Sequence, residues 1–79
     1  MKVENILLQE YTGEAVKDMP KILKAHHFIM DSRNNMTERA MVYRDVARRA
    51  LGHDVPMDVS DIELIGTYYQ EMCNVFLRQ

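Results

Sequence analysis

The apolar residues of this chain recur with helical spacing, and polar breaks divide them into four segments. Apolar side chains fall three or four positions apart, as on one face of a helix, instead of alternating as in a strand. The main breaks lie at Thr12-Gly13, in the polar run 31–35 and at residues 52–56. The pattern predicts an all-α fold, a small antiparallel bundle of three to four helices, in a single helical domain over residues 1–79.

The first two segments are both predicted to be helical. Residues 3–11 carry apolar side chains four positions apart, and a short strand over residues 3–8 is the weaker alternative. Residues 14–31 form the second stretch, in which Pro20 marks either a kink or the first turn of a new helix capped by Asp18. The apolar spacing continues across Pro20, which favours a kinked helix or two nearly coaxial helices.

The last two segments carry clearer start and stop signals. Thr37 is predicted to cap the third helix, and Gly52 fits just past its end. The run Ser60-Asp61-Ile62-Glu63 is a capping box, in which two backbone N–H groups are satisfied reciprocally. It predicts a fourth helix from residue 61 to about residue 77.

The predicted fourth helix has an apolar face about twice as wide as packing by one face requires. At about 100° per residue, its polar side chains occupy an arc of about 100°, and nearly all the others are apolar or aromatic. The segment is predicted either to be the central helix and supply most of the core, or to bind another chain with its outer side. Tyr68, Tyr69 and Phe76 are its candidate partner-binding residues, since aromatic side chains are enriched at interfaces.

Charge is distributed unevenly along the chain, although the net charge is only −2. Residues 17–52 hold eight Lys or Arg and four acidic residues, for +4, whereas residues 53–79 hold one Arg and five acidic residues, for −4. A basic middle can attract a polyanion, or it can pair with the acidic ends of the same chain or of another copy.

Two basic strips give the alternative interpretation, nucleic-acid binding. Lys17, Lys21 and Lys24 share one strip of the second helix with Phe28, which is therefore predicted to lie on the surface as a further partner-binding residue. Arg44 and Arg48 align on the third helix, but Glu38 and Asp45 make that stripe mixed rather than purely basic. A basic strip with an aromatic residue can hold phosphates and stack a base, or it can cover an acidic protein surface. The net charge does not suit a protein built chiefly to coat nucleic acid.

The histidines and the single cysteine indicate no metal site. His26 and His27 project about 100° apart on their helix, so they cannot both bind one ion from one helical face. His53 and Cys73 match no ligand spacing. His26 is predicted to be a core residue that is hydrogen-bonded to backbone. We expect no catalytic residue, no metal and no cofactor.

The function predicted from these features is that of a small non-enzymatic regulator that binds another protein. It would act as an adaptor, a subunit or an inhibitor, and a second copy of the chain is one candidate partner. A chain of 79 residues buries only a small core, for which a partner chain is a common supplement. The lone cysteine and the lack of a signal peptide favour the cytoplasm, and no apolar run approaches the roughly 20 residues of a membrane span. Regulators of this kind are often encoded by phages or mobile elements, which is a general expectation only.

Overall fold

The computed structural model describes residues 3–52 and 54–77, with side chains as far as Asn74. In this part of the chain the regular elements are four helices: α1 (Val3–Leu7), α2 (Ala15–Met30), α3 (Met36–Arg49) and α4 (Asp61–Leu77). They pack into a bundle that measures 32 × 28 × 24 Å. The predicted all-α bundle is confirmed, and the strand alternative for residues 3–8 is wrong.

The link between α1 and α2 is held by the carboxylate of Asp18. This buried side chain accepts hydrogen bonds from the Thr12 amide at 2.8 Å, the Thr12 hydroxyl at 3.0 Å and the Gly13 amide at 3.0 Å. The amide of Thr12 is the main cause that holds the pKa of Asp18 below its ordinary value. Asp18 therefore anchors the preceding turn, in which Gly13 has a φ of +86°, and the prediction that it caps a new helix is wrong.

Pro20 is the sixth residue of one continuous helix. A proline has no N–H to donate to the carbonyl four residues earlier, which here belongs to Val16. Val16 and Pro20 are both exposed, so water can satisfy that carbonyl without a break in the helix. The alternative prediction of two nearly coaxial helices is therefore wrong.

Local residues cap the start of α3, follow its end and cap the start of α4. Asn35 caps α3, because its side chain accepts from the Thr37 amide at 2.8 Å and the Glu38 amide at 3.4 Å, and the prediction of Thr37 as the cap is wrong. Gly52 lies past the end of α3 with a φ of +68°. Ser60 caps α4 by accepting from the amide of Glu63 at 3.2 Å. The predicted bounds of α4 are confirmed.

The central helix of the bundle is α3, which packs against α1, α2 and α4. Ala40 and Ala47 have no exposed surface, and such small side chains let neighbouring helices approach closely. The prediction that the 61–77 helix is the central one is therefore wrong, and among the described side chains α3, not α4, supplies the most to the core. The buried residues of α3 are Arg39, Ala40, Val42, Tyr43, Val46 and Ala47.

The face that α2 presents to the core differs from the predicted one. Its buried residues lie within an arc of about 100°, and they are Asp18, Ala25, Phe28 and Ile29. Phe28 is only 5% exposed, and the side-chain amide of Asn34 donates to its carbonyl at 3.0 Å, so the α2–α3 link covers this end of the helix. The prediction that Phe28 lies on the surface is wrong. The side of α2 that carries Asp18 faces the core, and Phe28 lies on that same side.

Candidate functional site

The orientation of α2 leaves a row of apolar side chains on its outer side. Val16, Met19, Leu23 and Met30 are 88%, 45%, 48% and 39% exposed, and the half-buried His26 completes the row. Successive members are three, four, three and four positions apart. This alternation is the heptad spacing with which one helix packs along another. We call these five residues the α2 seam.

The α2 seam borders an apolar groove of about 260 Å³. Both α2 and α4 pack on α3, and the groove lies between them. Leu51, which is 46% exposed, and Met72 on α4 continue the apolar surface beyond α2. We call this cavity the α2–α4 groove, and its lining residues are Ile22, Leu23, His26, Ile29, Tyr43, Val46, Leu51, Tyr68 and Met72.

One polar pair lies at the wall of this groove. The Nδ1 atom of His26 is hydrogen-bonded to the hydroxyl of Tyr68, so the predicted bond from His26 to backbone is wrong. Burial lowers the pKa of His26, and His27 contributes in the same direction. Burial also raises the pKa of Tyr68 to about 12. Near neutral pH both groups are therefore uncharged, and the groove carries no charge at this pair.

The aromatic residues predicted on α4 contribute largely to the interior. Tyr68 is 7% exposed, and Tyr69 is partly buried beneath Arg39, whose guanidinium carbon lies 5.5 Å from the centre of the Tyr69 ring. The side chain of Phe76 lies outside the described residues. Ile62, which is 72% exposed, and Cys73 lie on the outer flank of α4.

The arginines of α3 bind backbone carbonyls of neighbouring segments. Arg44 donates to the carbonyl of Val59 at 3.2 Å and pairs with Asp61 at 3.2 Å. Arg48 donates to the carbonyl of Val55 at 3.2 Å. Arg44 and Arg48 thus each hold a neighbouring segment of this chain, and their role in partner binding stays a prediction. The Arg44–Asp61 pair is an instance of the basic middle pairing with the acidic end of its own chain.

The other two arginines of α3 make the same kind of contact, at the opposite side of the bundle. Arg49 donates to the carbonyl of Leu7 at 3.0 Å and pairs with Asp45 at 3.1 Å. Arg39, which is 3% exposed, donates through Nε to the carbonyl of Ile29 at 2.8 Å. These side chains hold α1 and the end of α2 against α3.

The lysine strip of α2 is also partly occupied. Lys21 donates to the carbonyl of Glu10, and Lys17 pairs with Glu14 at 3.2 Å. Lys24 is exposed. Of the basic residues predicted to bind nucleic acid, Lys21, Arg44 and Arg48 therefore donate hydrogen bonds to carbonyls of this chain itself.

The described residues show neither a metal-binding cluster nor a membrane-spanning helix. In residues 3–52 and 54–77, no group of three or more His, Cys, Asp or Glu side chains is placed to hold a metal ion. None of the helices in these ranges has the length and apolarity that crossing a membrane requires. Comparison of the chain with known protein families, curated proteins and solved structures gave no significant match.

The sequence contained a signal for the α2 seam that the sequence interpretation did not use. The apolar residues of α2 extend over about 240° of the helix, from Phe28 through Ala25 to Val16, whereas packing by one face needs slightly more than about 100°. The same excess of width identified α4 as a candidate interface. Applied to α2, it indicates that one flank of this helix stays outside the core.

Proposed function

We propose that this chain is a small non-enzymatic regulator that binds a helix of another protein chain along the α2 seam. The observation that carries the proposal is the row of exposed apolar side chains in heptad spacing, next to the α2–α4 groove. Contiguous apolar surface of this kind is typical of protein interaction sites. The chain would act as an adaptor, a subunit or an inhibitor. Its free cysteine, Cys73, fits a reducing cytoplasm.

The spacing along α2 supports a helix as the bound element. From Val16 to Met30 the α2 seam covers 14 residue steps, about 21 Å at a rise of roughly 1.5 Å per residue. Side chains that alternate three and four positions apart stay on one side of the helix over this whole length. A second helix laid along the row would contact each of them and would reach Leu51 at the groove.

The alternative of nucleic-acid binding has less support. Lys21, Arg44 and Arg48 donate to carbonyls of the protein, and Arg44 is also paired with a carboxylate. Phosphate binding would have to compete with these contacts. We expect a gel-shift assay at low salt to show no complex. A complex that weakens steeply with added salt, and that is lost in the Lys24→Glu variant, would favour the alternative.

Two matched variants test the proposed function. Leu23 and Met41 are 48% and 44% exposed on different helices, so a glutamate at either position leaves the core intact. Tagged full-length chain and both variants are used to capture proteins from a lysate of the native host, and the retained proteins are identified by mass spectrometry. We expect Leu23→Glu to lose partners that Met41→Glu retains, and calorimetry with the purified partner to give the same order of affinities. Equal binding by the two variants would overturn the proposal.

A further inference from the structure

We infer that a linear aliphatic diamine or polyamine binds in a second cavity of this protein, between α3, α4 and the segment 54–59. We call it the α3–α4 cavity. Its volume is about 430 Å³, and small-molecule sites commonly have roughly 300–1,000 Å³. The inference goes beyond the proposed function, since none of the five residues of the α2 seam lines this cavity.

The walls of the α3–α4 cavity are mainly apolar and are fixed by contacts outside it. Val55 and Leu64 are buried there and Val59 is half-buried. The carbonyls of Val55 and Val59 accept hydrogen bonds from Arg48 and Arg44, each at 3.2 Å. Neither arginine lines the cavity. The two guanidinium groups therefore hold this wall against α3 without adding positive charge to the lining.

The charged groups that line the cavity all have the same sign. Asp54, Glu63 and Glu71 line it, and all three residues are exposed. No described lysine, arginine or histidine belongs to the lining, and none of the ion pairs between described residues includes any of the three carboxylates. Such a lining attracts cations and repels anions. Because the walls are apolar, it is complementary to a cation that carries an alkyl chain.

A buried hydroxyl adds a hydrogen-bond acceptor to the lining. Tyr43 is only 5% exposed, and its hydroxyl donates to the carboxylate of Glu71 at 3.3 Å. Both residues line the cavity, so this contact lies at its wall. A hydroxyl that donates its proton keeps two lone pairs, and no described group donates to this oxygen. An ammonium group in the cavity can therefore donate to the Tyr43 oxygen and to the Glu71 carboxylate together.

The spacing of the carboxylates on α4 favours a ligand with more than one ammonium group. Glu63 and Glu71 are eight positions apart, about 12 Å along the helix at a rise of roughly 1.5 Å per residue. A single ammonium group makes hydrogen bonds of about 3 Å and therefore neutralises one of them. Two ammonium groups at the ends of an alkyl chain pair with both, while the chain lies on the apolar wall that Leu64 provides between them.

Three small molecules test the chemical class of the ligand. Purified full-length chain, isotope-labelled for NMR, is titrated separately with 1,8-diaminooctane, with 1,3-diaminopropane, whose charges are too close together, and with 1,8-octanediol, which has the same length and no charge. We expect 1,8-diaminooctane to bind at least about tenfold more tightly than either control. Equal binding of a control, or no binding of 1,8-diaminooctane at about 10 mM, would overturn the inference.

The same titration locates the bound molecule. We expect the largest shifts of backbone amide signals at Leu64 and Thr67, which line the cavity. The signal of Leu23, in the α2 seam, should stay unchanged. Shifts confined to the α2 seam would place the ligand there and would contradict a site in the α3–α4 cavity.

Neutral variants test the role of the carboxylates. Glu63→Gln and Glu71→Gln keep the shape of each side chain, and each is expected to raise the dissociation constant of 1,8-diaminooctane at least about threefold. Glu10→Gln is the matched control, since Glu10 is exposed, loses the same charge and does not line the cavity. Circular dichroism confirms that all three variants are folded. An equal loss of affinity in all three would show attraction to the net charge of the chain only, and unchanged affinity in both cavity variants would equally overturn the site.

Discussion

The imidazole of His26 on α2 and the hydroxyl of Tyr68 on α4 are joined by a hydrogen bond across 42 positions of the sequence. Both helices pack on α3, and this pair ties them to each other beside the α2–α4 groove. The ring of Tyr68 also lies 5.0 Å from the ring of Tyr43, measured between centroids. Tyr68 therefore connects all three long helices.

Acid is expected to destabilise the fold through His26. Burial lowers the pKa of His26 from its ordinary value of 6.5, so the unfolded chain binds a proton at a higher pH than the folded chain does. The free energy of unfolding should therefore fall as the pH drops below 6.5, and this contribution should level off below the folded pKa. Urea denaturation at a series of pH values measures the effect. His26→Gln should show a shallower pH dependence and His27→Gln should keep that of the wild type; equal slopes in all three would contradict this.

Loss of the Arg39 side chain is expected to destabilise the fold by about 2 kcal/mol, because a buried carbonyl would lose its partner. The guanidinium donates to the carbonyl of Ile29 at 2.8 Å and to the hydroxyl of Tyr69. Arg39→Met removes both bonds while keeping much of the volume. Arg33→Met is the matched control, since the Arg33 side chain is 88% exposed, and it should change stability by less than about 0.5 kcal/mol. Similar denaturation midpoints for the two variants would refute this role.

Substitutions at Asn35 and Thr37, two positions apart, test which of the two residues caps α3. Asn35→Ala removes the side-chain oxygen that accepts from two backbone amides and should cost about 1 kcal/mol of stability. Thr37→Ala should change stability by less than about 0.5 kcal/mol, because Thr37 is exposed and makes no capping bond in the structure. Thermal denaturation of both variants tests this, and a larger effect at Thr37 would show that Asn35 is not the cap.

Substitution of Phe28 is expected to affect folding before it affects any association. Phe28→Ala should cost about 3 kcal/mol or more, as for other buried phenylalanines. A small domain with about 5–15 kcal/mol of total stability is then left with little margin, and Phe28→Glu should leave the chain largely unfolded. Circular dichroism distinguishes the outcomes. If the Phe28→Glu chain had the helicity and the denaturation midpoint of the wild type, Phe28 would have to lie on the surface.

The helices themselves were predictable because their signals are local. Ser60 precedes its helix by one position, Gly52 follows its helix, and apolar spacing marks each segment between. The prediction of Thr37 as the cap of α3 is wrong because Asn35, only two positions away, is an equally suitable capping residue. Local chemistry alone does not decide between them.

The orientation of α2 was not predictable from its own residues, because contacts outside the helix determine it. The amides of Thr12 and Gly13 hold Asp18 inward, and Asn34 covers Phe28 from the following link. The helix consequently hides a charged residue and exposes Leu23. The α2–α4 groove depends on the same orientation, since it forms only where α2 and α4 both rest on α3.

The contacts of the α3 arginines affect how freely the rest of this sequence can change over evolution. Each of the four reaches a main-chain oxygen of another segment, at Leu7, Ile29, Val55 and Val59. A main-chain oxygen is present whichever amino acid the gene encodes at that position. The segments that contain these oxygens can therefore change in sequence without loss of the hydrogen bonds. Substitution of the arginines by lysine, in contrast, would shorten the side chains and remove the planar set of donors.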